Sequence, residues 1–229
     1  MPFATRHRDD PHTELTSSSA FETHRVWDAS FMAALQGRSE REINERFADG
    51  HRAYVAWWNE QPAAWGWVAT RNAAIGELSA TVSLSAGERY LWNFVTLATH
   101  RGLGIYPRLL QAIVRAESRD AERFWIAYAP ENHASGSGIA KAGFTTQAEM
   151  SFDSAGRPAL RAVLPGGAIA ASRLLGLVET KEPLSPCWRC VRAGRGPMSC
   201  PDGICECDYQ KPRSGCAVGE IIGKDSKTA

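Results

Sequence analysis

The chain has 229 residues, enough for one sizeable α/β domain with a small unit appended. Its formal net charge is +1, so no strong basic field points to nucleic acid as the main partner. No long uncharged apolar run is present, and no membrane span is expected.

The N-terminal stretch MPFATRHRDDPHTEL is polar and lacks the apolar core of a secretory signal, so a cytoplasmic location is expected. A short first strand is expected over 3–8 and a loop over 16–20. Residues 21–36 carry apolar positions at helical spacing and stop at Gly37, which predicts a helix. Ser39 lies three residues before Glu42, the spacing of a capping box, so a second helix follows and ends at Asp49-Gly50. Residues 54–58 and 65–70 are β-rich runs around a turn at 59–62, which predicts a hairpin. A third strand is expected over 75–83. The run YLWNFVTL at 90–97 is the most apolar and is expected to be central.

A glycine-containing loop (100–104) then opens a helix over 105–119, with Leu109, Leu110, Ile113 and Val114 in one stripe. Pro107 is tolerable only in its first turn. A strand over 124–129, a short helix over 132–142 closed by Gly143, and two strands over 144–152 and 160–164 complete the pattern. The expected organisation is a domain at 1–165, a helix and linker at 166–186, a cysteine-rich segment at 187–216 and a frayed end at 217–229.

Strand, glycine loop and helix in succession make an anion site, because a helix N-terminus offers unpaired N–H groups and partial positive charge. Neither GxGxxG nor a Walker pattern is present. The residues Arg101-Gly-Leu-Gly104-Ile-Tyr106, followed by Leu109-Leu110, resemble motif A of the GNAT acetyltransferases, which binds the coenzyme A pyrophosphate. Tyr106 stands where Gly or Ala is usual. Asn132, Ser135 and Lys141-Ala-Gly143-Phe144 resemble motif B of the same family. The resemblance covers roughly residues 1–165. It implies an α/β GNAT fold, a mixed central sheet flanked by helices, acetyl-CoA or another acyl-CoA as donor, and a primary amine as acceptor. It further implies that the backbone of Phe94, Val95 and Thr96 pairs with the pantetheine arm. The N–H groups of Gly102, Leu103, Gly104, Ile105 and Tyr106 would hold the pyrophosphate, with Asn132 and Ser135 on the cofactor side of the cleft.

Acyl transfer to an amine needs a neutral amine, a polarised carbonyl and a proton for the leaving thiolate. The family often carries a Tyr four residues before the motif B glycine; here that residue is Ile139. The central strand reads Trp92-Asn93-Phe94, without the carboxylate many members place there. Glu88, Glu77 and Tyr128 are the catalytic candidates. Trp57, Trp58, Trp65, Trp67 and Trp92 lie on expected strands, as core or as a wall for a bulky or cationic acceptor.

All six cysteines lie at the end of the chain: Cys187, Cys190, Cys200, Cys205, Cys207 and Cys216. In a reducing compartment such clustering favours metal ligation, and a C-x-x-C pair suits tetrahedral zinc. An iron–sulfur cluster or a disulfide set stays open beside zinc. The competing reading of the whole chain is an impaired GNAT-like scaffold or sensor whose metal-binding tail docks a protein or nucleic acid.

Overall fold

A computed structural model describes residues 1–16 and 18–185. The cysteine segment 187–216, with all six candidate ligands, and the end 217–229 lie outside the described residues.

Strand β1 (Pro2–His7) is followed by β2 (Phe21–Val26), α1 (Ala29–Gln36), α2 (Glu40–Ala48), β3 (Arg52–Trp58) and β4 (Gln61–Ala69). Then come β5 (Asn72–Ile75), β6 (Ala80–Ser83), β7 (Glu88–Thr96), α3 (Ile105–Glu117) and β8 (Arg123–Ala127). The order ends with α4 (His133–Lys141), β9 (Thr145–Phe152), β10 (Pro158–Ala162), α5 (Gly167–Leu175) and β11 (Val178–Glu179). Nine strands form one mixed sheet in the order β11-β10-β9-β1-β8-β7-β4-β3-β2, while β5 and β6 form a separate two-stranded hairpin. The pairs β7–β8 and β10–β11 are parallel; the others are antiparallel.

Residues 21–36 are not one helix. FETHRV alternates half-buried with exposed side chains and pairs with β3, so period two wins over its first half. The helix begins only after Asp28, whose carboxylate accepts from the Phe31 N–H. The capping box on α2 is present, with Ser39 and Glu42 bonding reciprocally. The hairpin turn is tighter than 59–62: Asn59 and Glu60 both take positive φ, a two-residue turn, and pairing resumes at Trp58↔Gln61. The expected strand over 75–83 is likewise a hairpin, β5 and β6 joined by a 3-10 turn.

Alternation assigns each sheet residue to a face. Val68, Leu91, Phe124 and Ile126 pack against α3 and α4, with Leu109, Leu110 and Ile113 fully buried among them. Burying each such side chain contributes about 1.5–3 kcal/mol before entropy is counted. On the opposite face Trp65 and Trp67 pack under α1 and α2. Tyr90, Trp125 and Met150 pack under α5 and the β5–β6 hairpin. Trp92 packs against both clusters of that face.

Buried Glu117, the last residue of α3, ties the helix to β3 and β7. It accepts from Tyr54 at 2.6 Å, Arg89 at 3.0 Å and Arg52. Burial, then the bond to Glu117, pushes the Tyr54 hydroxyl above its ordinary range. On the opposite face α5 sends Arg173 to Glu88 at 2.7 Å, and at the end of β9 the Ser185 N–H donates to Phe152 O at 2.8 Å. Among the described residues no helix is long and apolar enough to cross a membrane.

Candidate functional site

The parallel register of β7 with β8 runs from Glu88↔Arg123 to Leu91↔Ile126 and stops there, although β7 continues to Thr96. Asn93 sits at φ 53°, in the left-handed region, and the β4 register is interrupted between Trp65 and Trp67. This bulge turns the last residues of β7 away from β8. Phe94, Val95 and Thr96 therefore have no strand partner on the β8 side among the described residues, while Val95 and Thr96 still pair with Trp65 and Ala64 of β4. The Phe94 ring lies on Gly66; a Cβ there would fall 2.0 Å from it.

From Thr96 the chain passes through a 3-10 turn (Ala98–His100) into Arg101-Gly102-Leu103-Gly104 and α3. Gly102 at φ 83° and Gly104 at φ 69° hold conformations that a side chain would strain. The first turn of a helix leaves its N–H groups without intrahelical acceptors. Among the described residues no hydrogen bond is donated by the N–H groups of Gly102, Leu103, Gly104, Ile105 or Tyr106. Pro107 falls in this first turn, where its missing N–H removes nothing. Arg101 is exposed, with Nε 3.3 Å from Thr96 O. Arg108 folds back one turn to donate to Gly104 O at 2.9 Å, Leu103 O at 3.2 Å and Thr16 O at 3.3 Å. With those carbonyls engaged, the loop offers a ligand N–H groups and positive charge. Arg108 was not among the sequence candidates; its only signal is its place four residues after Gly104.

Across from α3, Asn132 caps α4 by accepting from the Ser135 N–H at 3.0 Å. The Ser135 hydroxyl is 3.3 Å from that of Tyr106. Two glycines of α4 make room for rings: a Cβ on Gly138 would fall 2.5 Å from Tyr106, and one on Gly136 2.8 Å from Tyr128. Burial pushes the Tyr106 hydroxyl well above its ordinary range, so it stays protonated. Phe94 and Tyr106 are 5.5 Å apart between ring centres. Thus Phe94, Tyr106, Tyr128, Asn132 and Ser135 come together around the opening between β7 and β8. Ile139 is buried in the core.

The two glutamates do not join them. Glu88 is at the opposite end of β7 from Thr96, buried, and accepts from Arg173, Trp125 and the Ser85 N–H. Burial pushes its carboxyl up, but those three donors and the arginine charge outweigh that and hold it below the usual range. Glu77 lies in the 3-10 turn between β5 and β6, off the main sheet.

On the opposite face a cavity of about 630 Å³ opens between the end of α2 and the β5–β6 hairpin. Arg46, Asp49, His51, Arg71 and Trp92 line it. The Arg46 guanidinium lies over Trp67 and Trp92, 5.0 and 4.8 Å from the ring centres. Burial, with the nearby Arg38 charge, lowers Arg46 to about 10, which leaves it charged at neutral pH. Arg46 and His51 are close in sequence and joined where the His51 N–H donates to Arg46 O at 2.9 Å, but their site was not legible, because only the β3–β4–β7 register brings Trp92 to them.

Several solved structures are similar to part of this chain. A GNAT-family acetyltransferase from Colwellia psychrerythraea is 15% identical, with TM-score 0.43, over 63% of this chain and 52% of that one. An aminoglycoside 6'-N-acetyltransferase from Acinetobacter haemolyticus is 20% identical, with TM-score 0.42, over 58% of this chain and 97% of that one. A Salmonella typhimurium acetyl transferase that modifies the N-terminal serine of a ribosomal protein is 17% identical, with TM-score 0.43, over 60% and 87%. The chain spans about half the length of the first of these. No curated protein matches it. The acetyltransferase (GNAT) family matches residues 16–144, more than half of the chain, including both motif blocks up to Phe144. The chain belongs to the GNAT acetyltransferase family.

Proposed function

We propose that this protein is an N-acyltransferase that moves an acetyl or similar acyl group from acyl-CoA to a primary amine. The observation that carries the reading is the unpaired edge of β7 beside the glycine loop and first turn of α3. The residues fit the donor. The N–H groups of Gly102 to Tyr106 suit a pyrophosphate, with Arg101 and Arg108 adding charge-assisted attraction. The free edge at Phe94, Val95 and Thr96 suits the amides of an extended pantetheine arm.

In the reaction the neutral amine nitrogen attacks the thioester carbonyl carbon. An N–C bond forms, the C–S bond breaks, the nitrogen sheds one proton and the coenzyme A sulfur takes one. Tyr128, at the end of β8 and against α4, is the proposed donor of the latter proton. No carboxylate is present on β7 past Leu91, so the amine's proton leaves to solvent or to a water held in the cleft, and positioning supplies much of the rate. Isothermal titration of acetyl-CoA into the full chain tests the reading. Saturable binding that Arg101→Glu abolishes supports it, and a folded parent that takes up no acetyl-CoA refutes it.

A further inference from the structure

The cavity on the α2 face is a second, separately built feature. Its floor is Trp92, the first residue of β7 beyond the last pair with β8. Its walls come from two separate elements, α2 with the turn before β3 on one side and the β5–β6 hairpin on the other. Through Trp92 it lies next to the bulge at Asn93 where the open edge of β7 begins, on the face opposite α3 and α4. At about 630 Å³ it is the size of a small-molecule site.

Its polar lining is biased toward donors. Arg46 is held over two indoles and donates to Gln36 Oε1 at 3.4 Å, so its guanidinium is pre-oriented and partly stripped of water. Arg71 is held at the rim by a bond to Ala48 O at 2.9 Å. His51 accepts from Trp92 through Nδ1, so its neutral form carries its hydrogen on Nε2 and is a donor there. Among the described residues Asp49 is the one acidic member of the lining. Two guanidiniums and a neutral imidazole N–H against one carboxylate match an anion and repel a polycation.

We infer that this cleft is an acceptor subsite that takes the carboxylate of an amino acid, with Arg46 and Arg71 as its anchors and the amine directed past Trp92 to the open edge of β7. The inference rests on the acyltransfer reading for the role of the amine, but binding of the carboxylate stands apart from it.

The test follows the Trp92 indole N–H resonance, assigned through Trp92→Phe, in the full chain. Each of a panel of L-amino acids is titrated against its own carboxamide and against aliphatic diamines, with and without acetyl-CoA. The expected result is a saturable shift with an acid that its carboxamide does not reproduce. Arg46→Gln should weaken it roughly tenfold or more, the worth of a charge-assisted bidentate pair. Arg71→Gln, at an exposed position, does the same if Arg46→Gln fails to fold. Equal shifts with carboxamides or diamines, no shift with any acid, or shifts that both variants leave unchanged overturn the inference. Loss of acetyl-CoA binding alone strikes the acyltransfer reading and leaves this result intact.

Discussion

The Trp92 indole N–H donates to Nδ1 of His51 at 3.0 Å, and the two rings meet edge-on with centres 5.1 Å apart. A nitrogen that accepts this bond cannot carry a proton, so the pair fixes both the tautomer and the neutral state of the imidazole. Burial is the main cause holding His51 below its ordinary value, with the Arg46 and Arg71 charges adding and Asp49 opposing. The unfolded chain then binds a proton that the folded one refuses. The contribution of His51 to stability is complete above about pH 6.5 and is lost as pH falls below it. Denaturant titrations at pH 7.5 and 5.5 should show a larger loss for the parent than for His51→Gln, in which every other titrating group is kept.

Glu117 holds two arginines and a tyrosine in the interior. Glu117→Ala strands Arg89 without its anion and should lower stability by about 3 kcal/mol or more. The midpoint of urea unfolding reads this directly.

Gly138 leaves no room for a methyl group beside Tyr106. Gly138→Ala should push that ring off Ser135, cost about 1–3 kcal/mol in stability and weaken acetyl-CoA binding. Isothermal titration and unfolding measured on the same sample separate the two effects.

Tyr128→Phe and Glu88→Gln divide the catalytic candidates. The first should lower turnover roughly a hundredfold with acetyl-CoA affinity unchanged, as for loss of a general acid. The second should lower stability and leave the chemical step alone, because Glu88 is engaged by Arg173 far from the opening. Single-turnover rates with a competent amine check both.

The cysteines carry their own prediction. The full chain should purify with about one zinc ion per molecule, bound by thiolates. Joint Cys187→Ser and Cys190→Ser replacement should release it, as metal analysis of the purified protein would record.

The glycine loop, the α3 stripe and the α2 cap were legible in sequence because each depends on local rules of period, capping and φ. Gly102 and Gly104 stand at positive φ, as a loop of that kind requires. What escaped is what depends on register. FETHRV reads as the start of a helix until β3 offers it a partner. Glu88 and Glu77 looked available because a sequence cannot show that Arg173 reaches back from α5, or that residues 75–83 fold on themselves. Trp92 is distant along the chain from Arg46 and His51 and meets them only across the sheet.

The bond from the Ser185 N–H to Phe152, with the Ser151 hydroxyl returning to Ser185 O at 2.7 Å, has a mechanical consequence. The chain reaches the cysteine segment from a clamped point on β9. A cut after residue 165 would remove Ala168, Ala171 and Leu174 from the core and deprive Glu88 of Arg173, whereas a cut after residue 185 spares both. Any tension arising beyond residue 185 enters the sheet through that clamp, one strand away from β1 and two away from β8.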